Sequence, residues 1–435
     1  MLCVRAFPDR TCVPADYQVK GKSREAALVQ RAKALHRVHR QLVMDRRRQA
    51  PDSRAKTVLH SLLRPLTCFV RAWQATRLYG PAVSAVAHVP LHRQCLQQWA
   101  IAMRFDFTYD TYYRYRLYQL DRIGNAALFF PLNVNMALRS HLYEHLAVDP
   151  RRLEDKRSFY RTCAEQQLPI PRTLAEFEQG AIQTWPQGGQ GFALPPCDLF
   201  SKPADSLEGK DVARWVWQGA GHYRGENGET LSAQDLLAHL AACSRSGPYI
   251  LQERLINHPA IAALGPHAVC TARIVTCRQA DGQPAHLLSV FRMPAATETA
   301  AADNFAAGGF ASAVDPAAGT LNAAVRKNLN DAAIDYVAYP GSAQPFAGFR
   351  LPFWKEALDL CLQAHRVFSE FPSVGWDVAI TPDGPVLLEG NHDWDVALAQ
   401  QPGCRPLGRT EFVESYFSFL RVYEHDRTVH PASAG

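Results

Sequence analysis

The chain has 435 residues, 47% of them hydrophobic and 20% charged, a length that suits two or three compact units of about 150 residues and a composition that excludes a disordered or fibrous protein. No apolar run approaches the ~20 residues of a membrane-spanning helix. The eleven cysteines include no CxxC pair, which argues against a disulfide framework or zinc cluster and for reduced thiols in a cytoplasm. Arg5, Pro8, Asp9 and Arg10 stand where a secretion signal would carry its apolar core. The charge is unevenly divided. Residues 1–157 hold 27 Lys and Arg against 12 Asp and Glu, a balance of +15, while 158–435 carry −9. Such a basic portion can attract nucleic acid or an anionic membrane surface, or Arg46, Arg47, Arg48, Arg54 and Lys56 can be solvated helix faces that dock on the acidic half.

Ser23 to about Arg48 reads as a helix, with Ala32, Leu35, Val38 and Leu42 recurring among basic residues until Pro51 and Asp52. A second helix is expected from Ala55 to Tyr79, kinked at Pro65 and closed by Gly80-Pro81, and a third from Leu91 to Ala102. The segment Arg104 to Tyr118 alternates bases with aromatics in a way that can bind single strands. However, Tyr112, Tyr115 and Tyr118 repeat every three residues, the spacing of a helix seam packed into a core.

After about Pro150 the texture changes. Asp155–Gln167 reads as a helix and Cys197–Pro203 as a short strand. Ala213–Tyr223 and Glu229–Leu231 resemble hairpin strands around Gly225–Gly228. Ala233–Cys243 reads as a helix, Tyr249–Leu255 as a strand, and Val269–Arg278 pairs with Ala285–Phe291 across Asp281-Gly282. A long helix, Leu351–Phe371, precedes strands Val374–Ile380 and Pro385–Leu388 around Pro382-Asp383-Gly384. Strands interleaved with helices and hairpins argue an α+β core of two lobes.

The strongest chemical signal is the last hairpin. Glu389 and Asn391, two positions apart on one strand, share a face, and Asp377 on the neighbouring strand can join them. Two carboxylates and an amide oxygen make a hard donor set, suited to Mg2+ bridging nucleotide phosphates. Val378, Ile380, Val386, Leu387 and Leu388 surround these acids, and buried acids need a cation or a partner. Upstream, Lys156 opens a helix. Lys202 leaves a strand into a loop with Gly209 and Lys210, where ammonium and loop N–H groups can meet phosphate oxygens. Neither a GxxxxGK[ST] loop nor a GxGxxG turn after a strand is present.

This order of parts resembles the ATP-grasp superfamily: Lys156, Lys202 and its loop, the strand Leu251–Leu255, and Asp377 with Glu389-Gly390-Asn391. It is most similar to the sugar-transfer-associated ATP-grasp family, related in turn to RimK-like ligases, through Asn257-His258-Pro259, Thr271–Thr276, Asp303-Asn304 with Gly308-Gly309, Val314-Asp315 and Gly319. The likeness covers about residues 105–425. It implies an α+β, two-lobed ATP-grasp core with antiparallel sheets, preceded by a helical N-terminal region. The expected division is a basic helical region 1–103, linker helices and a first lobe 104–248, a second lobe with the metal site 249–425, and a tail 426–435.

The resemblance further implies that Lys156, Lys202, Gly209 and Lys210 contact ATP phosphates and that Gln252, Glu253 and Leu255 frame the adenine. Asp377, Glu389 and Asn391 match the ligands of Mg2+, or of Mn2+ in its place. Arg273, and after it Arg292, fit the catalytic cation that meets the γ-phosphate and an acyl phosphate. Asp303, Asn304, Gly308 and Gly309 fall on the acceptor or phosphate side, and His392 follows a metal ligand closely enough to contact substrate or to be structural. The phosphate loop departs from the glycine-rich type, having Asp205, Ser206, Leu207 and Glu208 with a single glycine. The implied activity is ATP-dependent joining of a small-molecule carboxylate to an amine through an acyl phosphate. Two alternatives stand beside it: a phosphotransferase or ester- or thioester-forming ligase, and a non-catalytic nucleotide-binding scaffold. The basic N-terminal region could hold a large anionic substrate such as a carrier protein, RNA or a saccharide.

Overall fold

The computed structural model describes residues 24–49, 53–146, 148–183, 193–205, 212–266, 268–295, 305 and 308–429. Contacts divide the chain into two units, Met1–His145 with Pro406–Val413, and Leu146–Arg405 with Glu414–Gly435.

The first unit is helical, built on Arg24–Gln49, Ser53–Ala87, Leu91–Phe105 and Leu132–Leu146. Its core is aromatic. Tyr112, Tyr113, Tyr115 and Tyr118 are buried with Phe105, Phe107, Phe129 and Phe130. Tyr115 stacks on Phe129 with ring centroids 4.9 Å apart, and His36 stacks on Phe130 at 4.8 Å. The segment that could have offered stacking platforms to a nucleic acid therefore spends four of its five tyrosines inside, with Tyr109 left exposed. That core reaches Phe130, and the unit runs on to His145. Gly80-Pro81 does not close the second helix, which continues to Ala87 with Pro65 and Pro81 inside it. Both prolines are exposed, so water can meet a carbonyl whose donor the ring removes, and Gln94 Nε2 donates to the Gly80 carbonyl at 3.2 Å.

The second unit holds two antiparallel sheets. The first comprises β1 (Thr173–Glu178), β2 (Ala181–Gln183), β3 (Leu199–Pro203), β4 (Ala213–Gly219), β5 (His222–Arg224), β6 (Thr230–Ser232) and β7 (Tyr249–Glu253), in the order β2-β1-β7-β3-β4-β5-β6. The second comprises β8 (Thr271–Arg278), β9 (Pro284–Met293), β10 (Phe310–Val314), β11 (Leu321–Arg326), β12 (Ser373–Thr381) and β13 (Gly384–Asn391), in the order β11-β10-β9-β8-β12-β13. Leu236 and Leu240 of helix Ala233–Cys243 fill the core of the first sheet with Leu174, Phe177, Leu199, Trp215 and Leu251. Helix Trp354–Val367 buries Trp354, Ala357, Cys361, Ala364 and His365, one face at helical spacing, and packs on β8, β9, β12 and β13.

Two expectations change. The stretch Ala213–Tyr223 is not one strand but two, because Gly219-Ala220-Gly221 turns it with positive φ at all three residues. Four strands went unread. β10 is wholly buried yet reads Phe-Ala-Ser-Ala-Val, and its small residues carry little strand signal without the neighbours that cover them.

Candidate active site

The hairpin β12–β13 places the acids. Asp377 lies opposite Glu389 on one side and opposite Arg273 of β8 on the other. The register slips between Asp377 and Val378, where Leu388 is the extra residue of a bulge. Its carbonyl accepts a hydrogen bond from Tyr160 Oη at 2.8 Å. Between the two polar residues, Gly390 is required by the reverse face. A Cβ there would stand 2.8 Å from the Trp376 ring and 3.0 Å from Leu153. Trp376 is fully buried and donates to Thr276 Oγ1 at 2.8 Å, so it cannot withdraw.

The two carboxylates are treated differently. Burial alone would raise the Asp377 pKa. The guanidiniums of Arg273 and Arg292 overcome this and hold it far below the usual carboxylate range. Arg273 donates through Nε and through Nη2 at 2.9 Å, and Arg292 Nη1 lies 3.1 and 3.3 Å from the two oxygens. Glu389 is pushed upward, first by burial and then by the charge of Asp377, against the pull of Lys156 and Arg273. Asn391 Nδ2 donates to Glu389 Oε1 at 3.3 Å and to the Gly375 carbonyl at 3.2 Å.

Two lysines approach the same acid. Lys156 begins the helix Lys156–Glu165, which Asp155 caps by accepting from the Arg157 N–H at 2.9 Å. It is buried, and its backbone N–H donates to the Ala204 carbonyl at 3.2 Å. Burial lowers its pKa while Glu389 opposes the shift. Lys202 extends from β3, donating to Tyr160 Oη at 2.9 Å with its ammonium 5.3 Å from that ring's centroid. Burial brings it down to about 8, partly countered by Glu389. Tyr160 therefore connects Lys202 to the bulge at Leu388.

Beside Lys202 lies a cavity of about 160 Å3, walled by Phe200, Leu255, Val269 and Leu388, with Gln252 on its border. Gln252 Nε2 is anchored on Thr173 Oγ1 at 3.0 Å. Asn257 ties down the following loop through the Ala268 carbonyl (2.9 Å) and the Cys270 N–H (2.8 Å). His258 caps the short helix after it, which gives that histidine a structural task.

The structure thus gathers Asp377, Glu389, Asn391, Arg273, Arg292, Lys156 and Lys202, and sets Gln252 and Leu255 on the adjoining cavity. Glu253 lines the same cavity, and its carboxylate accepts from Arg172 Nη1 at 2.7 Å. Gly308 and Gly309 lead into β10, and the Gly308 carbonyl accepts from Arg326 Nε at 3.2 Å. His392 Nε2 pairs with Glu154 at 2.8 Å. Gly209, Lys210, Asp303 and Asn304 lie outside the described residues. Tyr160 and Phe200 were missed from sequence. Phe200 could have been found, since it stands two positions before Lys202 on one strand and so shares its face.

Among the described residues no group of three or more His, Cys, Asp and Glu is placed to hold a metal. The hairpin offers two carboxylates and an amide, a hard oxygen set that fits Mg2+ better than a softer ion. Glu389 carries the argument, because it is half-buried beside another carboxylate and its negative charge is the less compensated of the two.

A family model described as sugar-transfer associated ATP-grasp matches residues 137–411. Comparison with curated proteins finds no match. Similar solved structures include D-alanine–D-alanine ligase from Bacillus anthracis complexed with ATP, at 10% identity over 63% of this chain and 68% of that one, with a TM-score of 0.34. The ATP-grasp ligase PsnB complexed with minimal precursor, Mg and ADP is 15% identical over 70% and 71%, with a TM-score of 0.33. VanG D-Ala:D-Ser ligase from Enterococcus faecalis is 10% identical over 62% and 61%, also at 0.33.

Proposed function

The chain belongs to the sugar-transfer-associated ATP-grasp family, and on that premise we propose that it is an ATP-dependent carboxylate–amine ligase working through an acyl phosphate. The observation that carries the proposal is the meeting of two under-solvated lysines and two arginines around Glu389 and Asp377, next to an apolar cavity. The cavity takes the adenine, with the Gln252–Leu255 segment along its edge. Lys202 and Lys156 receive the phosphates, whose negative charge repays the desolvation that now depresses both ammonium groups.

Asp377, Glu389 and Asn391 would hold Mg2+, which when bound neutralises charge on the phosphoryl oxygens. Arg273 and Arg292, fixed by Asp377, keep two permanent positive charges at the place where the transferred phosphoryl develops negative charge. A substrate carboxylate oxygen attacks the γ-phosphorus and the bond to the β-phosphate oxygen breaks, giving ADP and an acyl phosphate. The amine nitrogen then attacks the activated carbonyl, loses a proton and expels phosphate. Little covalent chemistry is asked of the protein, in keeping with the inert setting of its cysteines: Cys163 and Cys361 are buried and burial raises both thiols.

The test is ATP consumption across paired libraries of carboxylic acids and amines, with mass spectrometry of the adduct. ADP and phosphate should appear only when both partners are present. A phosphorylated acceptor without an amide would make the protein a phosphotransferase. An ester or thioester product would change the class of nucleophile.

A further inference from the structure

The helix Ser53–Ala87 of the first unit presents an apolar face that its own core does not use. Its buried side is made by Ala72, Ala75, Thr76 and Val83. On a neighbouring side Leu59, Leu62, Leu66, Phe69, Val70 and Trp73 recur at intervals of three and four residues, a stripe about 21 Å long at 1.5 Å per residue. They are strongly exposed: 73% for Leu62, 61% for Leu66 and 47% for Trp73. A contiguous row of large apolar side chains in water marks an interaction surface, whereas single exposed leucines do not.

The charge of the same helix identifies the partner. Its 35 residues contain Arg54, Lys56, Arg64, Arg71 and Arg77 and no Asp or Glu. The Arg77 guanidinium lies over the Trp73 ring, 4.8 Å from its centroid, at the end of the stripe. Leucines with Trp and Phe on one face, on a helix that carries basic residues and no acidic ones, match a helix that lies in the plane of a membrane interface. A nucleic acid would answer the charge and leave the leucines in water. Two copies of the helix packed face to face would bury the leucines but set against each other two helices that carry no acid, Arg64 of each being paired with Asp106 of its own chain. An anionic bilayer satisfies both features. Among the described residues no helix is long and apolar enough to cross a membrane, so the contact is peripheral. We infer that helix Ser53–Ala87 is a docking face for the surface of an anionic lipid bilayer.

The experiment is co-sedimentation of the full chain with vesicles of phosphatidylcholine alone and of phosphatidylcholine mixed with phosphatidylglycerol. The comparison variant is Leu62→Glu combined with Leu66→Glu, checked for folding by circular dichroism and for oligomeric state by light scattering. The wild type should sediment with the mixed vesicles and release as salt is raised. The variant should lose about tenfold or more in partition coefficient for each leucine replaced, since each forfeits the burial of a large side chain. Equal binding by a folded variant would overturn the inference. A wild-type dimer that the variant converts to a monomer, with no vesicle binding by either, would assign the face to a second copy. A monomeric wild type that ignores the mixed vesicles at low salt would also overturn it.

Discussion

On β12 of the six-stranded sheet, Asp377 is clasped by Arg273 from the adjacent strand β8 and by Arg292 from β9, one strand further on. On β3 of the seven-stranded sheet, Lys202 rests against a phenol hydroxyl, and its nearest opposite charge of consequence is Glu389. The first arrangement is a closed account. Permanently charged guanidiniums meet a carboxylate held ionised, and the geometry is set before any ligand arrives. The second is an open one, with ammonium groups taken out of water and given too little anion in return. A site that must recognise a polyanion gains from having both, a rigid cationic floor and cations whose discomfort a phosphate relieves.

The closed side breaks most severely. Asp377→Ala should destabilise the protein by about 3–5 kcal/mol, since it removes the buried carboxylate that Arg273 and Arg292 both clasp. Urea unfolding measures this. Adding Arg273→Met to Asp377→Ala should recover part of the loss, a coupling that independent sites would not show. Next in size is Gly390→Ala, expected to cost about 1–3 kcal/mol because its methyl meets the Trp376 ring. The same substitution shifts Glu389 and Asn391, so Mg2+-dependent ATP affinity should fall with it, as isothermal calorimetry would show.

The open side responds to pH. The folded-state pKa of Lys202, about 8, lies below the 10.5 of a free lysine. Its stabilising contribution is therefore full above 10.5 and is lost as pH falls through about 8. Lys202→Met should remove that rise from a stability profile between the two values. Nucleotide affinity should run the other way, weakening above pH 8 as the ammonium becomes neutral. Tyr160→Phe, which takes away the hydroxyl joining Lys202 to Leu388, should cost about 1–2 kcal/mol.

The contrast also explains what the sequence could reveal. That Glu389 and Asn391 share a face beside Asp377 was legible, because alternation along a strand is local information. Arg273 and Arg292 could be named as cations, but not as the clasp on Asp377. That depends on the pairing of β8 with β12 and of β8 with β9, across as many as 104 residues of sequence, and on their register. The Leu388 bulge and the Tyr160 bridge to it share this non-local origin. In the first unit, the tyrosine spacing at 112, 115 and 118 announced a core correctly. Pro81 was misleading, because its cost depends on whether water can reach the freed carbonyl.

Glu389→Gln separates the two kinds of charge with the smallest change in fold. Because burial and Asp377 push the Glu389 pKa upward, the folded chain binds this proton more readily than the unfolded one. Its contribution is favourable below its ordinary pKa of 4.5 and is lost as pH rises through the folded value. At neutral pH the ionised side chain therefore opposes folding, and the neutral amide should leave stability unchanged or slightly higher, unlike Asp377→Ala. Ligand linkage should reverse the ranking. Mg2+ with a non-hydrolysable ATP analogue should raise the melting temperature of the wild type and do so far less for the variant, because a ligand stabilises only the state that binds it. If Glu389→Gln unfolds as easily as Asp377→Ala, the two acids are one structural cluster. If it keeps the full Mg2+-dependent shift, the metal belongs elsewhere.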